Sequence, residues 1–213
     1  SFADDRLSFG VAAEMPAVSG TYGEGFEPIP QRVPDIPAYI QYAWGPERSS
    51  HLRASVVLRD MYLHNLRTAE NTSLLGWGVQ LSGTIRCCRA FRMFMNGVYG
   101  KGITPYIQDL TGAGLDFTPD PRNAAYIQTM PMWGWQAAGQ FSLTRRLTLS
   151  GGYSTVRIQR SHGFYADDEY KRGQYIFGNL FYALTPRCTL AAEYLYGLRR
   201  NMSDAENLSL IHI

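Results

Sequence analysis

Arginine is the residue type with the clearest chemical potential in this sequence. Of the 20 basic residues only Lys101 and Lys171 are lysines, and the other 18 are arginines. A guanidinium group binds carboxylates in a planar, two-pronged geometry that a lysine cannot reproduce. Arginines that line a passage therefore favour anions. High genomic GC content would explain the same bias without any function, and composition alone leaves both explanations open.

Residues for catalysis are sparse. Ser161, His162 and Asp167 fall in one polar loop and offer the residue types of a hydrolytic triad. A triad works only when the fold holds its members in fixed geometry, and three residue types in one loop do not indicate that. We therefore predict no enzyme and no catalytic residues.

Metal and cofactor sites are not predicted either. The three cysteines, Cys87, Cys88 and Cys188, lack the spacing of a zinc site or a disulfide framework. No phosphate-binding loop or dinucleotide fingerprint occurs, so we predict no metal and no cofactor. A formal net charge of +2 is no signature of a nucleic-acid-binding protein.

Period-2 alternation of apolar and polar residues dominates the chain and predicts strands. The segments between clusters of Gly, Pro, Asn and Asp have mostly ten to fourteen residues, whereas ordinary globular strands have about five or six. A tilted strand needs about 9–11 residues to cross a bilayer. We predict nine strands, at 6–14, 36–45, 51–63, 74–86, 88–101, 131–143, 146–159, 170–184 and 187–199.

The predicted connections alternate in length. Short ones are expected at 45–50, 86–88, 144–145 and 185–187, and long ones at 15–35, 64–73, 102–130, 160–169 and from 200 onward. Outer-membrane barrels have short periplasmic turns and long extracellular loops. Aromatic content is 13%, and no stretch reaches the roughly 18–20 apolar residues of a membrane helix. The predicted fold is all-β, an incomplete antiparallel transmembrane β-barrel.

Alternation also assigns the two faces of the predicted wall. Residues such as Leu52, Val56, Trp133 and Phe141 are expected to face lipid. An arginine facing lipid at mid-membrane would cost roughly 2–4 kcal/mol, so arginines are expected on the other face. The predicted lumen arginines are Arg53, Arg59, Arg92, Arg199 and, near a strand end, Arg6. The predicted lumen polar residues are Gln80, Ser82, Asn96, Gln136, Gln140 and Glu193.

Two questions about these faces stay open in the sequence. The inward arginines either present charge to the lumen or pair with acids such as Glu14 and Glu193, holding the wall rigid. Segment 170–184 carries aromatic residues on both faces and receives no inward face.

The predicted loop 102–130 is unusually long for a segment without regular structure, and such loops are usually functional or disordered. We predict it as a candidate constriction loop carrying Tyr106, Asp109, Asp116 and Arg122. It either folds into the lumen, caps the mouth or is a plain surface loop.

Short patches along residues 6 to 201 resemble the DcaP-like outer-membrane porins. They are PAYIQY at 37–42, HLRAS at 51–55, LRDM at 58–61, GWGVQLSG at 76–83, GVYGKG at 97–102, PYIQDL at 105–110, WGWQA at 133–137, SGGYS at 150–154 and EYLYG at 193–197. The resemblance implies a sixteen-stranded barrel, a homotrimer, a bacterial outer-membrane location and diffusion of small carboxylic acids. It does not identify the pore residues one by one.

The sequence thus predicts an outer-membrane porin for passive diffusion of small anionic solutes, with outer-membrane lipid around it. One alternative is a barrel that acts as a receptor or adhesin through its loops. The other is a soluble β-sandwich or lipocalin-like binding protein.

The two ends of the sequence carry separate expectations. Residues 1–207 are expected to form part of a barrel whose N-terminal strands and closing strand are missing. Residues 208–213 match the translation of a sequencing adapter, and we expect them to be foreign to the natural protein.

Overall fold

The computed structural model describes residues 6–120, 123–159 and 166–212. Thirteen strands lie in these ranges: β1 Leu7–Val11, β2 Phe26–Pro28, β3 Ile36–Trp44, β4 Ser50–Asn65, β5 Glu70–Arg86, β6 Phe91–Lys101, β7 Phe117–Asp120, β8 Asn123–Thr129, β9 Pro131–Ser142, β10 Leu147–Ile158, β11 Tyr170–Thr185, β12 Cys188–Asn201 and β13 Glu206–His212. All nine predicted strands are among them. No helical turn in these ranges is long and apolar enough to cross a membrane.

Eleven strands form one antiparallel sheet in the order β1-β3-β4-β5-β6-β9-β10-β11-β12-β13, with the short β2 paired to β4. Nearly every neighbour in this order is also the next long strand in the chain, which is the simple up-and-down arrangement of a barrel wall. β1 and β13 form the two edges of the sheet. The predicted all-β, incomplete barrel is therefore confirmed as a fold.

Two predicted long connections are short. The strands β4 and β5 continue pairing to Asn65 and Glu70, so residues 66–69 replace the predicted loop 64–73. A strand also follows Asn201, where a long loop was expected. The first difference arises because backbone pairing of β4 with β5 extends beyond the alternating segment, where side chains no longer report on it. That β13 includes residues 208–212 does not test their foreign origin, which stays a prediction.

The predicted loop 102–130 is largely structured. It contains two 3-10 turns, Thr104–Tyr106 and Gln108–Leu110, followed by the hairpin of β7 and β8. This part of the chain packs against one face of the large sheet. We call it the inward loop, and the face that it contacts the inner face.

The opposite, outer face is apolar and uncovered. Leu52, Val56 and Phe141 are exposed there, as predicted, and Phe9 and Leu75 reach 81% and 65% exposure. Aromatic pairs lie on the same face, including the stacked rings of Phe91 and Phe141 with centroids 4.3 Å apart. No second protein layer covers these side chains within the described ranges, which differs from a β-sandwich, where both sheets bury their apolar faces against each other.

Strand register also settles the face of β11. Ile176 pairs with Tyr153 and Leu180 with Leu149, and these four side chains belong to the outer face. The alternate residues of β11 therefore face inward, including Phe177 and Phe181. The sequence left this strand unassigned because both sets of residues contain aromatic rings.

Candidate functional site

The inner face carries two continuous rows of polar side chains that run across the strands. Residues directly opposite in an antiparallel pair point to the same face, so strand register identifies each row. The first row is Gln41, Arg53, Ser82, Asn96, Gln136 and Ser154. The second row is Arg86, Arg92, Gln140, Ser150, Asn179 and Glu193.

Most of the predicted lumen residues are brought together in these rows. In the first row the Nε of Arg53 donates a 2.9 Å hydrogen bond to Oε1 of Gln41. The guanidinium of Arg53 also lies 4.2 Å from the ring centroid of Tyr39, close enough for a cation–π interaction. Gln80, next to this row, donates a 2.9 Å hydrogen bond from Nε2 to Oδ1 of Asn96. Arg53 is half-buried and keeps access to solvent.

Arg59 lies on the same face of β4 as Arg53 but is enclosed, with 1% exposure. Its Nε is 2.9 Å from Oδ2 of Asp35, and its Nη1 is 3.1 Å from Oδ1 of Asp116. The same guanidinium donates to the carbonyl oxygens of Gly102 at 2.6 Å and Ala17 at 2.7 Å. Its charge is therefore neutralised inside the protein, which differs from the predicted lumen-facing position.

The predicted alternative, pairing with an acid, applies to Arg59 but with other partners than expected. Glu14 and Glu193 were the expected acids, and Asp35 and Asp116 are the observed ones. A buried charge needs a paired partner and further hydrogen bonds, and Arg59 has both. Neither partner was identifiable because strand alternation says nothing about which loop residue reaches a given wall position.

Asp116 joins the inward loop to the wall. Its Oδ1 accepts hydrogen bonds from the backbone amide and hydroxyl of Thr104, at 3.0 and 2.6 Å. Its Oδ2 accepts one from the backbone amide of Ser19 at 3.1 Å. Together with Arg59, these bonds tie the start and the middle of the inward loop to the segment that precedes β2. Asp116, predicted in the constriction loop, is thus fully enclosed.

Tyr106 occupies the tip of the first 3-10 turn, against the same network. Its hydroxyl is 3.1 Å from both Oδ2 of Asp35 and Oε2 of Glu14. Burial and these two carboxylates raise the pKa of Tyr106 well above its usual value near 10. Desolvation likewise raises the pKa of Asp109, the next acid of the loop.

Apolar contacts complete the seating of the inward loop. Ile103, Ile107, Leu110 and Leu115 pack with Val57 and with residues of β9, β10, β11 and the turn after β12. Glycines on the wall make room for this contact. A Cβ added to Gly78 would lie 2.8 Å from Cδ1 of Ile103, which is closer than a real Cβ contact allows.

Two cavities flank the inward loop on the inner face. One has a volume of about 380 Å³ and touches Tyr39, Ser55 and Glu14, and the other has about 260 Å³ and touches Asn96, Gln136 and Asp109. Both are lined by Gln80, Val98 and Tyr106 as well. The first polar row therefore borders open space on the inner face, next to the loop predicted to narrow the passage.

The remaining predicted residues lie elsewhere. Arg199 is near the end of β12, where it donates to Asn201 at 2.9 Å and to the backbone oxygen of Asp168 at 3.1 Å. Arg6 is exposed just before β1. Arg122 lies outside the described residues, as do Ser161 and His162.

Arg86 on the inner face and Arg89 in the adjacent turn were missed. Arg86 faces Arg92 across β5 and β6, and Arg89 lies in the turn between them. Arg86 has the same parity along its strand as Gln80 and Ser82, so the alternation signal already pointed to it. It was overlooked because it stands at the boundary of a turn.

Comparisons with known proteins give a clear structural match. No family model and no curated protein sequence matches the chain. The crystal structure of the outer membrane channel DcaP of Acinetobacter baumannii superposes with a TM-score of 0.77 at 16% sequence identity. A NanC porin structure superposes with a TM-score of 0.43 at 12% identity over 89% of this chain and 85% of its own, which is too low to support a common fold.

The match to DcaP covers 96% of this chain and 56% of the DcaP chain. The chain therefore spans little more than half the length of that channel. The part that matches includes the large sheet and the inward loop, since nearly the whole chain is covered. The described strands thus have the fold of the corresponding part of the DcaP channel.

Proposed function

We propose that this chain is part of a bacterial outer-membrane porin that lets small anionic solutes diffuse through it. The observation that carries the proposal is the contrast between the two faces of one sheet. The outer face exposes apolar side chains, and the inner face presents two polar rows that contain Arg53, Arg86 and Arg92. This alternation is what a wall between lipid and an aqueous lumen requires.

The membrane location is supported by the character of the outer face. Exposed leucine, valine and phenylalanine side chains would be costly in water but are favourable against lipid tails. Aromatic pairs such as Tyr42 with Trp44 and Trp77 with Tyr99 also lie on this face. Their amphipathic rings suit the boundary between hydrocarbon and water.

Selectivity for anions follows from which charges reach water. Arg59 contributes no accessible charge, because two carboxylates and two carbonyl oxygens enclose it. Arg53 and Arg92 keep accessible guanidinium groups on the inner face. Rings of such groups lower the electrostatic barrier for carboxylates and raise it for cations.

The inward loop narrows the passage in this proposal. It covers the apolar part of the inner face and leaves the polar rows exposed to water. A solute therefore passes along the polar rows, beside the loop. The mechanism is facilitated diffusion without a chemical step. The full protein is proposed to complete the barrel and to form a homotrimer, as the resemblance to DcaP-like porins implies.

Ion selectivity of the full-length protein in planar bilayers tests the proposal. With a salt gradient, we expect a reversal potential of the sign that indicates anion preference, and a clear shift toward zero in the Arg53→Gln/Arg92→Gln variant. Arg67→Gln is the matched control, because Arg67 is exposed in the connection between β4 and β5, away from both polar rows.

Two results would contradict the proposal. Unchanged reversal potentials in the double variant would show that Arg53 and Arg92 do not determine ion selectivity. A folded protein that shows heat-modifiable gel mobility but no conductance would favour the receptor or adhesin alternative.

A further inference from the structure

The turn between β5 and β6 holds a small, strongly basic cavity on the inner side of the sheet. Its volume is about 160 Å³, and it is lined by Arg86, Arg89, Arg92, Gln140, Ser142 and Cys88, among others. Since a water molecule takes about 30 Å³ in the liquid, the cavity has room for about five. It is large enough for one small oxyanion and too small for a macromolecule.

The charges in this cavity are unbalanced. Arg86 and Arg92 are direct cross-strand partners, and like charges in that position are destabilising. A guanidinium group cannot relieve the repulsion by losing its proton. Among the described residues, no carboxylate pairs with Arg86, Arg89 or Arg92, whereas other basic residues such as Lys171 have acidic partners. An anion between the two strands would offset this repulsion.

The backbone around the cavity is held in place before any anion binds. The amide of Arg86 donates a 2.9 Å hydrogen bond to Oγ of Ser50, and the amide of Ser142 donates a 2.8 Å bond to the carbonyl oxygen of Ala90. On the other side of the sheet, the stacked rings of Phe91 and Phe141 fix β6 against β9. A pre-organised site loses less entropy when it binds its ligand.

We propose that this cavity is a binding site for a small oxyanion, a phosphate or carboxylate group held between Arg86 and Arg92. Guanidinium groups bind such groups through two parallel hydrogen bonds, and the Gln140 amide and Ser142 hydroxyl supply further donors. The site rests on the proposed function and adds to it. A solute anion would bind there briefly, at the end of the lumen where the connections between strands are short.

Cys88 offers a direct test because it lines the cavity. The variant Cys87→Ser/Cys188→Ser of the full-length protein keeps Cys88 as the only one of the three thiols. The matched control, Cys87→Ser/Cys88→Ser, keeps Cys188, which is exposed at the turn between β11 and β12. Labelling rates with an anionic and a cationic methanethiosulfonate reagent are measured in detergent, with inorganic phosphate replacing chloride at constant ionic strength.

We expect Cys88 to prefer the anionic reagent several-fold more strongly than Cys188 does. Phosphate should slow the labelling of Cys88 in a saturable manner and leave Cys188 unchanged. Adding Arg86→Gln and Arg92→Gln should abolish both effects, with heat-modifiable gel mobility confirming that the variant is folded. In vesicles containing phosphatidylglycerol, protection of Cys88 without added phosphate would identify a lipid headgroup as the source of the same phosphate chemistry.

The proposal is overturned if phosphate slows both thiols equally, or if protection of Cys88 persists without the two arginines. This outcome is distinct from failure of the porin proposal, because thiol labelling reports binding at the turn and requires no conductance.

Discussion

Arginine side chains have opposite environments in two adjacent parts of the inner face. Arg59 and Arg53 lie six positions apart on β4 and point to the same side of the sheet. Arg59 is enclosed by the inward loop and paired with two aspartates, whereas Arg53 contacts one amide and one aromatic ring and stays accessible. Strand alternation decides which face an arginine occupies, but the loop above it decides whether its charge meets water.

Replacing Arg59 with methionine is expected to have the largest effect on stability. Without the guanidinium, Asp35 and Asp116 lose their buried countercharge, and removal of one partner of a buried ion pair typically costs about 3–5 kcal/mol. We expect the free energy of unfolding in urea to fall by about this amount and proteases to cut the inward loop faster.

Arg53→Met is the matched control for this variant. It removes an arginine from the same face of the same strand, and we expect a loss of only about 1 kcal/mol, as for a partly exposed polar contact. Equal losses in the two variants would show that the burial of Arg59 has no energetic weight.

A smaller effect is expected where the loop touches the wall. Gly78→Ala introduces a Cβ that would lie 2.8 Å from Cδ1 of Ile103 and 3.3 Å from Cγ1 of Val57. Overpacking of this kind costs about 1–3 kcal/mol. Thermal unfolding of the full-length protein should show the loss, and a second substitution, Ile103→Val, should recover part of it by shortening the side chain.

Gly97→Ala serves as the comparison in the uncovered region. A Cβ at Gly97 would have no atom within 4 Å among the described residues. The midpoint of unfolding should therefore stay the same or rise slightly. A loss as large as that of Gly78→Ala would mean that strand conformation, and not contact with the loop, explains the glycine.

The smallest effect concerns pH. Burial and two nearby carboxylates raise the pKa of Tyr106 above its usual value near 10, so the folded protein favours the protonated hydroxyl. The stabilising contribution is therefore complete below pH 10 and is lost as the pH rises through the higher folded-state pKa. Ultraviolet titration of tyrosinate should show one fewer late-ionising group in Tyr106→Phe than in the unchanged protein. Titration of all tyrosines near their ordinary pKa would contradict this expectation.

Much of the wall was predictable because dyad periodicity is a local property. Residues such as Arg53, Ser82, Asn96 and Gln136 were placed on one face from parity alone, and strand register then proved them to be neighbours in one row. The exposed outer residues Leu52, Val56 and Phe141 followed from the same rule.

The site depended on contacts that periodicity does not encode. Asp35 precedes a strand and Asp116 lies in a loop, so their meeting at Arg59 depends on how two distant segments fold onto the sheet. The hairpin of β7 and β8 was missed because consecutive residues of its first strand, Phe117, Thr118 and Pro119, are all buried, so the segment does not alternate between lipid and water. Arg122 and the origin of residues 208–213 stay predictions.

The ion pair between Arg59 and Asp116 has a consequence for engineering new channels from this fold. A loop grafted from another barrel would lack Asp116. Arg59 and Asp35 would then remain paired without the second carboxylate that Arg59 contacts now. The space above Gly78, which the Ile103 side chain occupies, would also be left unfilled by a loop without a similar side chain. Loop and wall therefore have to be exchanged as one unit, and a chimera needs boundaries that include the whole segment from Asp35 to the end of the inward loop.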